Sequence, residues 1–93
     1  MKTFALKIST PDGNLYDAPA VRLVVRGCEG ELAVLAGHMP FVTAVKPCEC
    51  RVELESGEVR KGQTDGGILS VGTECVTLLS GSFHWENNNG VYN

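Results

Sequence analysis

Long hydrophobic runs are missing from this chain. No uncharged apolar stretch exceeds a few residues, so nothing in it reads as a bilayer-spanning segment. Met1-Lys2-Thr3-Phe4 turns polar by Lys7 and carries no apolar signal core. A cytosolic domain is expected. Positive charge is not in excess either: the net charge is −3 and the longest basic run is Arg60-Lys61. Phosphate binding needs a basic face, so nucleic acid is not expected as a partner. Catalytic motifs are absent too. There is no Gly-x-Ser-x-Gly, and Gly27-Cys28-Glu29-Gly30 is followed by no Gly-Lys-Ser/Thr. The two histidines, His38 and His84, are far apart in sequence. Neither catalysis nor a cofactor is expected. Helical spacing is the last absence: even Glu31 to Ala36 is short and flanked by Gly30 and Gly37.

What is present is alternation. The chain has 93 residues and is 43% apolar, enough for one small packed domain and not for two. Phe4, Leu6 and Ile8 alternate with Ala5, Lys7 and Ser9, the period of a half-buried strand. Pro11-Asp12-Gly13-Asn14 then supplies turn chemistry. Val21, Leu23 and Val25 alternate in the same way until Gly27. Cys50, Val52 and Leu54 point one way, and Glu49, Arg51, Glu53 and Glu55 the other. Ser56-Gly57 then reads as a hairpin turn, and a two-residue loop would set Glu53 across from Arg60. Val76 to Leu79 is nearly continuous in apolar residues and reads as a strand covered on both faces. Short strands with frequent turns and no helix imply an all-β sandwich or flattened barrel over residues 1–86. The polar tail 87–93 is expected to be disordered.

Four cysteines admit two readings. Without an export signal, Cys28, Cys48, Cys50 and Cys75 read most simply as reduced thiols that pack as small apolar groups. The alternative is zinc held by Cys48 and Cys50 with further ligands brought near by folding. Against it, Cys-x-Cys on a strand sends both thiols to one face, and structural zinc sites usually show two such pairs. His38, in Leu35-Ala36-Gly37-His38-Met39-Pro40, is either a loop residue bonded to nearby backbone or a contact shown to a partner. Residue pattern alone leaves both open.

The segment Gly27 to Pro47, GCEGELAVLAGHMPFVTAVKP, resembles the signature of the epsilon-subunit family of F-type ATP synthases. That signature reads Gly-x-x-Gly-x-x-x-Val/Ile-x-Pro-Gly-His-x-Pro-Leu-Leu-Thr-x-Leu-x-Pro-Gly. Ser9-Thr10-Pro11-Asp12-Gly13 resembles the family's opening strand and turn, Asp65-Gly66-Gly67-Ile68-Leu69-Ser70-Val71 its Gly-Gly block, and Val76-Thr77-Leu78-Leu79 its closing strand. The resemblance implies a ten-stranded β-sandwich and a non-catalytic rotor-stalk role. It implies packing against the gamma subunit and contact with the loops of the membrane c-ring, which couples ion flow to ATP synthesis. It also implies a location on the inner side of the cell membrane, reached only through the complex. Glu31 and His38 fall where the family's ring-side loop lies. Leu78, Phe83 and Trp85 are expected on the gamma side, although Trp85 reads equally as a cap on the open end of the core.

Departures from the pattern are Ala36 for Pro, Cys48 for Gly, and Asp65 and Ser70 for Ser and Glu. The family usually continues into two C-terminal helices that can inhibit ATP hydrolysis. No such segment is present here: the chain is a naturally short form, one whose tail was removed, or a stand-alone relative, and a short form is expected to be a connector without that brake. A metal-binding β-protein and a free-standing regulatory β-module remain as alternatives.

Overall fold

The computed structural model describes residues 2–86, and the expected disorder of the tail lies outside them. Among the described residues there are ten strands and no helix, the all-β build that the alternation predicts and the strand number that the resemblance implies. They are β1 (Phe4–Thr10), β2 (Gly13–Ala20), β3 (Arg22–Gly27), β4 (Gly30–Leu35), β5 (Phe41–Val45), β6 (Cys48–Glu53), β7 (Val59–Thr64), β8 (Gly67–Val71), β9 (Cys75–Ser80) and β10 (Phe83–Trp85). Hydrogen bonding runs in the order β10-β7-β6-β3-β5-β8-β9-β1-β2, with β4 on the free side of β3. The ladder bends where Gly27 of β3 meets Val45 of β5, a single pair that joins its two halves. One half is β4-β3-β6-β7-β10 and the other is β5-β8-β9-β1-β2. Every pairing is antiparallel except β1 with β9.

Folding these halves together buries one side of each strand. Leu6, Ile8, Leu23, Val25, Val34, Cys50, Val52, Leu69 and Leu78 form the centre, each essentially without solvent contact. Removing that apolar area from water is the main stabilising contribution to a domain of this size. Two hydroxyls are buried with them and both are bonded: Thr64 and Ser80 share a 2.6 Å hydrogen bond, and Ser80 also donates to the Ser82 carbonyl. The Asp65 carboxylate accepts from the Ser82 N–H at 2.9 Å. Asp65, one of the departures from the family pattern, thereby ties the β7–β8 turn to the β9–β10 turn.

The hairpin between β6 and β7 differs from the two-residue expectation. Leu54 N–H bonds the Glu58 carbonyl, and Gly57 takes φ +94°, so the loop is Glu55-Ser56-Gly57. One extra residue shifts the register, and Glu53 faces Val59 while Arg60 faces Val52. A one-residue slip moves a side chain to the other face of the sheet. Arg60 therefore turns inward instead of meeting Glu53, and Glu53 pairs with Arg22 across β3 at 3.5 Å.

That inward turn closes one seam of the sandwich. β2 and β10 end the ladder and do not pair with each other. Trp85 of β10 spans the gap, donating its Nε1–H to the Leu15 carbonyl of β2 at 3.1 Å. The Arg60 guanidinium lies 4.1 Å from the Trp85 ring centre, and the Phe83 ring meets Trp85 edge-on at 4.8 Å. Phe83 fits because residue 62 is glycine: a Cβ there would sit 2.6 Å from the Phe83 ring.

Candidate functional site

A β-sheet with one side in the core offers its other side to solvent, and here the two outer sides differ. On the β4-β3-β6-β7-β10 half, the outward positions are Leu35, Ala33 and Glu31; Arg22, Val24 and Arg26; Glu53, Arg51 and Glu49; Val59, Lys61 and Gln63; and His84. Charges of both signs are interleaved, and two of the four basic residues, Arg22 and Arg51, are in ion pairs. Arg51 reaches Glu31 at 3.4 Å and Glu49 at 3.9 Å, and Arg22 reaches Glu53 at 3.5 Å. This is a hydrated face.

The β5-β8-β9-β1-β2 half is built otherwise. Its register sets Ala44, Ile68, Leu79, Ser9 and Asn14 in one row. Val42, Ser70, Thr77, Lys7 and Asp17 form the next row, and Cys75, Ala5 and Pro19 a third. Val42 is 68% exposed, Leu79 53% and Ile68 45%, the last two directly across from one another. Lys7 and Asp17 are the sole charges in these rows. An uncharged sheet face with aliphatic residues at its centre is the surface a protein partner covers.

A groove of about 510 Å³ is the third feature. It is lined by the β3–β4 hairpin tip, residues 27–32, and by Phe41, Val42 and Thr43 of β5. Consecutive residues of β5 line it, so it runs along a strand edge and not over a face. The edge is open because β5 meets β3 only at Val45 and Gly27.

The sequence-derived candidates distribute unevenly over these features. Glu31 is exposed, lines the groove and is held by Arg51. His38 lies on the connection between β4 and β5, whereas Glu31 is the second residue of β4 itself. Its backbone N–H bonds the Leu35 carbonyl, and its ring rests 5.3 Å from Phe41, which lines the groove. Gly37 before it has φ +85°, so the turn keeps the glycine it needs with alanine in place of proline at residue 36. On the other side two candidates are corrected. Leu78 is wholly buried and Phe83 is 5% exposed, so neither side chain offers surface to a partner. Strand alternation sends Leu78 into the core with Val76 and sends Leu79 out with Thr77, and β9 is not covered on both faces. Trp85 is half-buried and closes the seam, which favours the capping reading.

The thiols do not form a ligand set. Cys48 and Cys50 share the inner side of β6, and Cys48 Sγ accepts the Arg26 N–H at 3.3 Å. Burial pushes the Cys50 thiol up to about 12, with Cys48 and Glu49 adding to the rise, so it stays protonated and inert at neutral pH. Among the described residues no three His, Cys, Asp or Glu side chains cluster in a metal-binding arrangement. Tyr16 is also raised by burial, against a lowering pull from Arg60, and donates to the Pro19 carbonyl.

Residues 3–86 match the family model described as the β-sandwich domain of the ATP synthase delta/epsilon chain. The chain is similar to the ATP synthase epsilon chain of Bacillus licheniformis, 39% identical over 80 residues, covering 86% of this chain and 60% of that one. The epsilon chain of Bacillus pumilus is 40% identical over 80 residues with the same coverage. Among solved structures, a chain of the Euglena gracilis mitochondrial ATP synthase, in an assembly of OSCP, F1 and c-ring, superposes with a TM-score of 0.86. It is 26% identical, over 92% of this chain and 55% of its own length. The chain thus spans about 60% of the length of the curated relatives it matches.

Proposed function

We propose, from the premise that this chain belongs to the ATP synthase delta/epsilon β-sandwich family, that it is a non-catalytic connector in the central stalk. It bridges the gamma subunit and the c-ring, and so helps to couple ion flow to ATP synthesis from the inner side of the membrane. In this reading contact with the bilayer comes through the complex; among the described residues no helix is long and apolar enough to cross a membrane.

The observation that carries this reading is the uncharged outer face around Ile68 and Leu79. Covering a Val, Leu or Ile that is half-exposed recovers roughly 1 kcal/mol, half of its full burial value. Val42, Ile68 and Leu79 together thus favour association without any ion pair. In this reading gamma covers that face, with Leu79 and Ile68 in the place that Leu78 and Phe83 held as candidates. The groove end, with Glu31 on its wall and His38 against Phe41, faces the ring loops. The Euglena assembly that holds the similar chain includes a c-ring, which supports a place near a ring but not a particular orientation. A carboxylate such as Glu31 suits polar or basic loops, but an exposed ion pair there adds only about 0–1 kcal/mol. Its role is orientation more than affinity.

Titration of this chain against purified gamma tests the reading. A one-to-one complex is expected. Absence of association at concentrations up to about 100 μM, where even weak specific pairs are populated, rules it out.

A further inference from the structure

The rows of this face hold one pair of charges. Lys7 of β1 and Asp17 of β2 are direct cross-strand neighbours, next to Thr77 and one row from Leu79. On the opposite half of the sandwich, Arg22 and Glu53 have the same cross-strand relation and close to 3.5 Å. Lys7 and Asp17 do not: the ion pairs among the described residues are those of Arg22 and Arg51 alone. Here a lysine and an aspartate sit side by side on a face otherwise without charge and form no ion pair with each other.

The size of the face forces these charges into any interface built on it. Five strands about 4.8 Å apart and roughly 17 Å long make a face of roughly 24 by 17 Å, about 400 Å² of flat area. A specific interface takes about 800 Å² of accessible surface from each partner. A partner centred on Ile68 and Leu79 therefore also covers Lys7 and Asp17. A charge removed from water without compensation opposes binding, so the partner must supply opposite charges. Aliphatic contact alone is non-directional and does not fix how a partner is rotated on the face. Two charges of opposite sign, on adjacent strands, do fix it.

We propose that Lys7 and Asp17 form the orienting key of the partner interface, meeting a carboxylate opposite Lys7 and a basic group opposite Asp17 on the docking surface of gamma. This rests on the reading that gamma covers the uncharged face, and the experiment separates the two. Affinity for purified gamma is measured for the full chain and for Leu79→Asp, Lys7→Glu, Asp17→Lys, and the swapped double variant Lys7→Asp with Asp17→Lys. Folding is followed by thermal melting, with the single tryptophan as the probe. Both charged positions are at the surface or half-buried, so the fold is expected to survive in each.

Each single charge reversal is expected to weaken binding by about 10-fold or more, and the swapped variant by at least as much, because the partner's charges keep their order. If the swap returns affinity to within about twofold of wild type, the two residues matter only to each other and the key is overturned. Single reversals that stay within about twofold overturn it as well. If Leu79→Asp leaves binding unchanged, the face itself is not the gamma surface, and both readings fall together. If Leu79→Asp abolishes binding while the reversals do nothing, the face stands and only the key fails.

Discussion

On the outside of β3, β4, β6 and β7, seven charged residues stand among Leu35, Ala33, Val24 and Val59, with Arg51 between Glu31 and Glu49 and Arg22 against Glu53. On the outside of β1, β2, β5, β8 and β9 the same kind of pleat carries Val42, Ala44, Ile68, Leu79, Cys75 and Ala5 with the neutral polar Ser9, Asn14, Ser70 and Thr77, and its only charges are Lys7 and Asp17. Both halves enclose one core, and both satisfy the alternation a sandwich requires. Stability therefore does not explain the difference, since charged residues would serve the second face equally well and keep it soluble. A protein that leaves one sheet face uncharged does so for something that covers it. The comparison teaches where to look for the partner: the inner positions determine the fold, and the outer ones record what the fold meets.

The largest effect comes from making the second face resemble the first. Leu79→Asp is expected to lower affinity for gamma by about 100-fold, the range of a central interface residue, with the melting temperature little changed because Leu79 is 53% exposed. The matched change on the charged face, Lys61→Asp, should leave affinity within about twofold, as rim or uninvolved charges do. Calorimetric titration of both variants against gamma checks the contrast. Equal losses from the two would remove the distinction between the faces.

A second change attacks the seam both halves share. Trp85→Ala removes the hydrogen bond to Leu15, the Arg60 stacking and the aromatic contact with Phe83. It should destabilise the domain by about 2–3 kcal/mol, measured by urea unfolding. A loss under about 0.5 kcal/mol, the level of an ordinary surface substitution, would mean that the sandwich closes without it.

Inner and outer thiols give a smaller contrast. Cys50 has a folded pKa raised from 9.0 to about 12, so above pH 9 the unfolded chain releases a proton that the folded chain retains. Stability from this group is present below pH 9 and falls as pH rises from 9 toward 12. Unfolding curves from pH 8 to 10.5 should fall more steeply for wild type than for Cys50→Ala. The smallest effect is expected on the charged face, where Arg22→Ala breaks an exposed pair and should cost no more than about 1 kcal/mol in urea unfolding.

Much of this fold was legible in the order of residues. Alternation at Phe4 to Ile8 and at Cys50 to Leu54 placed strands and their inner faces, and the structure keeps both. What failed depended on register between distant segments. The hairpin after β6 takes one residue more than Ser56-Gly57 suggests, and that slip alone sends Arg60 to Trp85 instead of Glu53. Val76 to Leu79 is apolar on both phases, so sequence could not say that Leu78 is core and Leu79 surface without the flanking Val76 and Thr77. The uncharged face was the missed signal. Its charge-poor outward positions are spread over residues 5 to 79 and become one surface only through the β5-β8-β9-β1 pairing. Glu31 and His38 are candidates through the resemblance, which marks positions but not that Glu31 lies within β4 and His38 beyond its end.

Two natural cysteines report, without any mutation, on whether gamma covers the uncharged face. Cys75 is exposed on the uncharged face beside Ala5, and Cys28 is exposed on the hairpin tip at the groove. Their alkylation rates should be compared in the free chain and in the complex with gamma, resolved by mass spectrometry of the two peptides. The account predicts that gamma slows alkylation of Cys75 by about 10-fold or more, as expected for a group buried at a specific interface, and leaves Cys28 reactive. Protection of Cys28 with Cys75 unchanged would contradict it.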